Sequence, residues 1–179
     1  MTLGDVIDWG PDSRGVIDQM IELSEECNLI SLLGNHEEML LYAHRSSSEF
    51  QNWMHSGGDK TLESYGPRAL CRDIPDAHLR FLKSFRPFHE TETHIFVHAN
   101  YCWYSRMEEQ SPSLLRWISI EESMPKAHLS GKTVVLGHAP GALRDYGFCR
   151  CIDTGCGFGG QLTAIDVTSG DCWQVNEGG

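Results

Sequence analysis

Four short segments of this chain share one design, in which an apolar run ends in Gly, Asp, Asn or His: Leu3-Gly4-Asp5, Leu33-Gly34-Asn35-His36-Glu37, Phe96-Val97-His98-Ala99 and Leu136-Gly137-His138-Ala139. A lone histidine at such an end is more often a hydrogen-bonded structural residue than a ligand. Four such ends together carry more weight. In open α/β sheets, loops at the carboxyl ends of strands aim side chains into a common crevice. Asp5, Asn35, His98 and His138 then offer a mixed oxygen and imidazole set, which suits Mn, Fe or Zn, whereas Ca and Mg prefer all-oxygen shells. The chemistry open to them is that of a transition-metal centre.

Those ends need strands and helices to position them. With 179 residues, 40% of them apolar and 22% charged, the chain can bury a core of its own and fits one domain, 1–179. Val16, Ile17, Met20, Ile21 and Leu23 recur at helical spacing after a cap at Asp12, which predicts a helix ending near Cys27. Leu29 to Leu33 reads as a short buried strand. With a strand before Gly4 it makes a βαβ unit and parallel neighbours. A second helix is predicted over Glu38 to His44. The stretch from Glu49 to Tyr65 is helical but broken at Gly57 and Gly58, and Pro75 opens a helix that turns Leu79, Phe81, Leu82 and Phe85 to the core. Together, 45–90 reads as a helical cap-like insertion. His94 to Ala99, Thr133 to Leu136 and Leu162 to Val167 are apolar runs of strand length, with Cys149 to Asp153 and Cys172 to Val175 as further strands. The expected fold is a layered α/β domain with a mixed sheet.

A net charge of −11 without clustered Lys and Arg excludes nucleic acid as the main partner. No window approaches the roughly 20 apolar residues of a membrane span, and no signal segment opens the chain. A cytoplasmic protein is the expectation. The cysteines number seven and form no CxxC pair, so reduced thiols are expected. Cys149 and Cys151 share a face of their strand, with Cys156 following, and read as small, partly buried side chains rather than metal ligands.

The motifs resemble those of the calcineurin-like metallophosphoesterases, in particular the bacterial serine/threonine protein phosphatases. Gly4-Asp5-Val6-Ile7-Asp8-Trp9-Gly10 is similar to the family's GDxxDRG, and Gly34 to Glu37 is its GNHE unchanged. His98-Ala99-Asn100 resembles HAG, and Gly137-His138-Ala139-Pro140 resembles GHTP. Order and spacing agree across nearly the whole chain, including Trp53 to Gly66 and Ile152 to Leu162. The resemblance implies mixed sheets flanked by helices in an αββα arrangement and two divalent ions, Mn first and Fe or Zn otherwise. Asp5 would bridge them, and Asn35, His98 and His138 would complete the second site. It further implies that His36 protonates the leaving alkoxide, that Asp8 holds its imidazole, and that Glu37 binds a neighbouring loop or backbone amide. The substrate would be a phosphorylated protein or a small phosphate ester, with phosphoserine and phosphothreonine leading. Hydrolysis of dinucleoside polyphosphates and a noncatalytic phosphate-binding module are the alternatives.

The departures matter as much. Trp9 stands where the family has a phosphate-gripping arginine, and either stacks on an aromatic leaving group or packs. Arg116 lies near the family's second phosphate-binding arginine, with Arg106 a weaker choice. Asn100 and Ala139 replace Gly and Thr, with indirect effects expected. His44, His55, His78, His89, His94 and His128 match no motif and are assigned to surface or packing. The family opens with a strand ending in D-x-H, and nothing upstream of Asp5 supplies it. Two explanations stay open, a start set too late or a degenerate relative. The expectation is a first strand missing, one metal held well at most, and an exposed sheet edge through which the chain could dimerise.

Overall fold

Helix α1 spans Ser13–Glu26 and begins where the sequence places its cap: the Asp12 carboxylate accepts the Gly15 N–H at 2.9 Å. That bond satisfies a donor of the first turn that has no partner within the helix, worth about 1 kcal/mol. Ile17 and Met20 are buried, while Val16 and Leu23, on the flank of the apolar stripe, stay exposed. The extended backbone at Cys27 ends the helix. Around it, Thr2 pairs in parallel with Ser31, and Leu32 in parallel with Arg86. The expected βαβ unit is thus reduced to single parallel bridges. The reason is local: Gly4 and Asp5 take φ of 94° and 54°, which ends the extended segment directly after Leu3.

These elements belong to the first of two compact units, Met1–Pro87; the second runs from Phe88 on. The computed structural model describes residues 1–176. In the first unit, α2 (Asn35–Tyr42) starts three residues before the expected Glu38, because extended Gly34 serves as its cap and Asn35 already has helical geometry. Helices α3 (Ser47–Trp53) and α4 (Asp59–Tyr65) flank a break over Met54–Gly58, where Gly57 has φ of 95°. Helix α5 (Asp76–Lys83) follows Pro75. Ile7, Ile17, Leu40, Trp53, Leu62 and Leu82 form the centre of this unit's core.

The second unit holds a five-stranded mixed sheet of β1 (Phe88–Glu90), β2 (His94–Val97), β3 (Thr133–Leu136), β4 (Arg144–Asp145) and β5 (Cys149–Cys151), in the order β1-β2-β3-β5-β4. The three central strands are parallel, and β1 and β4 are antiparallel edges. Ile95, Val97, Val134 and Leu136 have no exposed surface, which is why β2 and β3 read as unbroken apolar runs rather than alternating ones. Strands β6 (Gln161–Ile165) and β7 (Cys172–Asn176) pair as an antiparallel hairpin, within a residue or two of the apolar runs. The α/β class with a mixed sheet holds. Strands β1 and β4 and the short helix α6 (Pro112–Arg116) have no counterpart in the apolar pattern, being too short to carry one. All seven cysteines are free thiols; Cys149 and Cys151 are fully rather than partly buried, and burial pushes the Cys149 thiol up to about 11.

Candidate active site

In the first unit, the carboxylate of Asp8 is the hub of a buried hydrogen-bond cluster. It accepts from Thr61 Oγ1 at 2.6 Å and from Trp53 Nε1 at 3.1 Å, and its Oδ2 lies 2.8 Å from His36 Nδ1. The Asp8 N–H is held as well, by Thr61 Oγ1 at 2.9 Å and Ser13 Oγ at 3.1 Å. An ionised carboxylate only accepts, so His36 carries its proton on Nδ1 and, when protonated, a second one on Nε2. Burial works against charge on both partners and raises the Asp8 carboxyl above its usual range. For His36, burial pulls the ring down, but the bond to Asp8 and the charges of Asp5, Asp8 and Glu37 outweigh it and raise the imidazole above its ordinary value. An imidazole held this way is a proton donor. Trp53 and Thr61, supplied by α3 and α4, are members of this cluster that the motifs did not name. They lie 45 and 53 positions from Asp8, and no spacing rule links them to it.

Glu37 is completely buried and accepts three backbone N–H groups, those of Asp5 at 2.9 Å, Val6 at 2.7 Å and Gly34 at 2.9 Å. Its expected role as a loop clamp is what these bonds describe. It ties the turn that carries Asp5 to the start of α2, where Asn35 is buried and the His36 N–H donates to Asp5 Oδ1 at 3.2 Å. Gly34 permits this approach, since a Cβ there would stand 2.1 Å from Asp5 Oδ1. Glu37→Ala leaves three N–H groups without their acceptor. Hydrogen bonds to a charged group are worth about 1.5–3 kcal/mol each, so the expected loss is about 3 kcal/mol or more, read from the urea midpoint at unchanged slope.

In the second unit, His98 and His138 follow adjacent parallel strands, β2 and β3, at the same carboxyl end. The Gly137 N–H bonds the His98 carbonyl at 2.8 Å, and His98 Nε2 lies 3.2 Å from His138 Nδ1. The outer nitrogen of His138, Nε2, lies 3.1 Å from the Trp117 carbonyl. A carbonyl can only accept, so this contact fixes the proton on Nε2 and leaves Nδ1 with its lone pair, the arrangement a metal-ligating histidine adopts. Two nitrogens each about 2.1 Å from one transition ion, at angles of about 90–110°, stand roughly 3.0–3.4 Å apart. The observed 3.2 Å fits that spacing. Arg116 is buried between the two anchors: the Leu115 carbonyl accepts the N–H of Ala99, and the Trp117 carbonyl faces His138.

Other candidates separate. Trp9 is 43% exposed with its ring edge-on to His36 at 6.3 Å, so it does not pack into the core. Arg106 lines a pocket with Glu90, Glu108 and His128. Asn100 is buried and pins the 119–123 loop through the carbonyls of Ser119 and Ser123. His78 and His128 are buried and bonded, to Tyr65 and Asp18 and to Ser130 and the Ser105 carbonyl; His44 and His55 are exposed. Backbone strain marks the same motifs. Among the described residues, the non-glycine residues with positive φ are Asp5, Asp8, Trp9 and His138. Such conformations cluster at functional sites, because only a surrounding structure with a use for them holds them.

Strained aspartates and an aspartate-held histidine in the first unit, and a pair of histidines at strand ends in the second, are residue types that metal-dependent phosphoester hydrolysis uses. The comparison with known proteins agrees: residues 1–157 match the Calcineurin-like phosphoesterase family, and the chain belongs to it. It is a hydrolase of phosphoester bonds in a metal-dependent family. It is 32% identical over 174 residues to Serine/threonine-protein phosphatase 1 of Salmonella typhimurium (strain LT2), spanning 93% of this chain and 77% of that protein. Among solved structures, a candidate diadenosine tetraphosphatase aligns with a TM-score of 0.73 at 20% identity, over 97% of this chain and 78% of that one. At that identity the likeness speaks for the fold.

Proposed function

We propose that the chain is a phosphomonoesterase that hydrolyses phosphoserine and phosphothreonine, with divalent ions activating the attacking water. The observation that carries the reading is the Asp8–His36 pair, with Nδ1 bound at 2.8 Å and Nε2 left to deliver a proton to the departing oxygen. Asp5 and Asn35 in the first unit, and His98 and His138 in the second, are the residues that would serve as ligands to divalent transition ions, with manganese preferred. Bound there, such ions acidify water and neutralise charge on phosphate. The rest falls to the chain. His36 protonates the leaving alkoxide, Asp8 fixes the imidazole, Arg116 supplies a guanidinium to the phosphate oxygens, and Trp9, 6.3 Å from the His36 ring, would contact the leaving group. The free thiols suit a reducing cytoplasm.

The resemblance to a protein phosphatase over most of the chain supports the protein substrate. A second reading, hydrolysis of dinucleoside polyphosphates, is favoured by the exposed Trp9 ring, which suits a nucleobase. Manganese-loaded protein assayed on phosphoseryl and phosphothreonyl peptides and on diadenosine tetraphosphate decides between them, with the peptides expected to turn over faster. No turnover of any of these or of an aryl phosphate would leave a noncatalytic phosphate-binding module in its place.

A further inference from the structure

Trp9 stands in a conformation that tryptophan rarely adopts, and its neighbours hold it there. Its φ is 47°, directly after Asp8 at 66°, and left-handed backbone is costly for a bulky side chain. The turn is fixed from both sides: Ser13 and Thr61 hold the Asp8 N–H, and the Gly10 N–H bonds back to the Asp8 carbonyl. Gly57, itself at φ of 95°, passes so close that a Cβ there would stand 2.9 Å from the Trp9 nitrogen and 3.0 Å from ring atom Cδ2. Core burial does not offset this strain. Trp9 keeps 43% of its surface in solvent, whereas Trp53 of the same unit keeps none.

The ring is placed beside the acid. Trp9 and His36 have centroids 6.3 Å apart and planes at 69°. Because Asp8 occupies Nδ1, a proton leaves through Nε2 to an ester oxygen roughly 2.6–3.2 Å away. A ring carried on or next to that oxygen comes within reach of the indole, since aromatic pairs form at centroid separations of roughly 4.5–7 Å. We propose that Trp9 is a specificity-determining residue whose indole stacks on an aromatic ring in the leaving group, so that among small esters of equal charge and without a peptide chain those with a ring are favoured over aliphatic ones, separately from what peptide contacts add for phosphoserine and phosphothreonine. The inference rests on the reading of His36 as the acid for that oxygen. A tyrosyl ring and a nucleobase share the required chemistry.

The test uses the manganese-loaded full chain and two esters matched in size and leaving-group basicity, benzyl phosphate and cyclohexylmethyl phosphate. The wild type is expected to favour the benzyl ester roughly 3- to 10-fold in kcat/KM, the weight of an aromatic pair. Trp9→Phe keeps most of that preference, and Trp9→Leu, apolar but smaller and without a ring, brings it close to one. A wild-type ratio near one, or a ratio untouched in Trp9→Leu, overturns the proposal. If the wild type turns over neither ester, the phosphoesterase reading fails. Calorimetric binding of benzylphosphonate against cyclohexylmethylphosphonate then decides the Trp9 question, with the same ratios expected and equal or absent binding overturning it. A phosphotyrosyl peptide and adenosine 5′-phosphate, run with the same variants, show through their sensitivity to Trp9→Leu which source of ring the site takes.

Discussion

His138→Ala is expected to lower bound metal and turnover together, with turnover falling roughly 10²- to 10⁴-fold. A bound ion contributes several kcal/mol to stabilising the charge that develops on phosphate, and each 1.4 kcal/mol or so is a factor of ten. His138 is singled out by three features of its own unit. Its backbone is held at φ of 62°, its Nε2 is fixed by the Trp117 carbonyl, and its Nδ1 faces His98 Nε2 at 3.2 Å. Alanine keeps the strained backbone and deletes the donor. The fold should therefore survive, because β3 is held by its own ladder to β2 and β5 and by the burial of Val134, Val135 and Leu136. The check is elemental analysis of metal per chain after dialysis, alongside circular dichroism and an aryl phosphate assay. His98→Ala should behave alike, with an added packing loss because His98 is 1% exposed. Full metal content and full activity in His138→Ala would remove it from the ligand set.

Much of this was legible in the sequence, and the parts that were not share a cause. Local patterns carried through: Asp12 caps α1, Ile17 and Met20 repeat at helical spacing, Gly57 breaks the helical stretch, and β2 and β3 are apolar runs. Each depends on neighbours a few positions apart, where periodicity and backbone preference act directly. The hydrogen bonds that organise the site do not. Trp53 and Thr61 reach Asp8 across 45 and 53 positions, and the Trp117 carbonyl meets His138 across 21. Nothing in local spacing marks a backbone carbonyl as an anchor. The positive φ values of Asp5, Asp8 and Trp9 run against local preference in the same way, since a turn of that kind favours Gly or Asn. Sequence rules fail there because the site, rather than the chain's own propensities, sets the geometry.

His36→Asn is expected to lower turnover about 10²- to 10⁴-fold on alkyl phosphates, the usual weight of a general acid, with metal content unchanged. Asparagine is a close test because its amide can donate from near the Nδ1 position and so keep the bond to Asp8. What it lacks is the proton on Nε2. The substitution thus removes the donor while sparing the buried cluster around Asp8, whose other bonds come from Thr61 and Trp53. The size of the effect should follow the leaving group. An alkoxide leaves poorly without a proton, whereas a nitrophenolate leaves well alone, so the loss should shrink toward tenfold or less on 4-nitrophenyl phosphate. Asp8→Asn should cost less than His36→Asn on alkyl esters, because it weakens the hold on the imidazole without deleting it. It should also lower stability, since Thr61 Oγ1 and Trp53 Nε1 then lose a charged acceptor in a buried setting, at about 1–3 kcal/mol. The comparison that decides the role is the slope of log kcat against leaving-group pKa. The wild type should show a shallow slope and His36→Asn a steep one, because protonation no longer offsets the charge on the departing oxygen. Parallel slopes, with equal losses on alkyl and aryl esters, would make His36 a binding or structural residue and assign the proton to another donor.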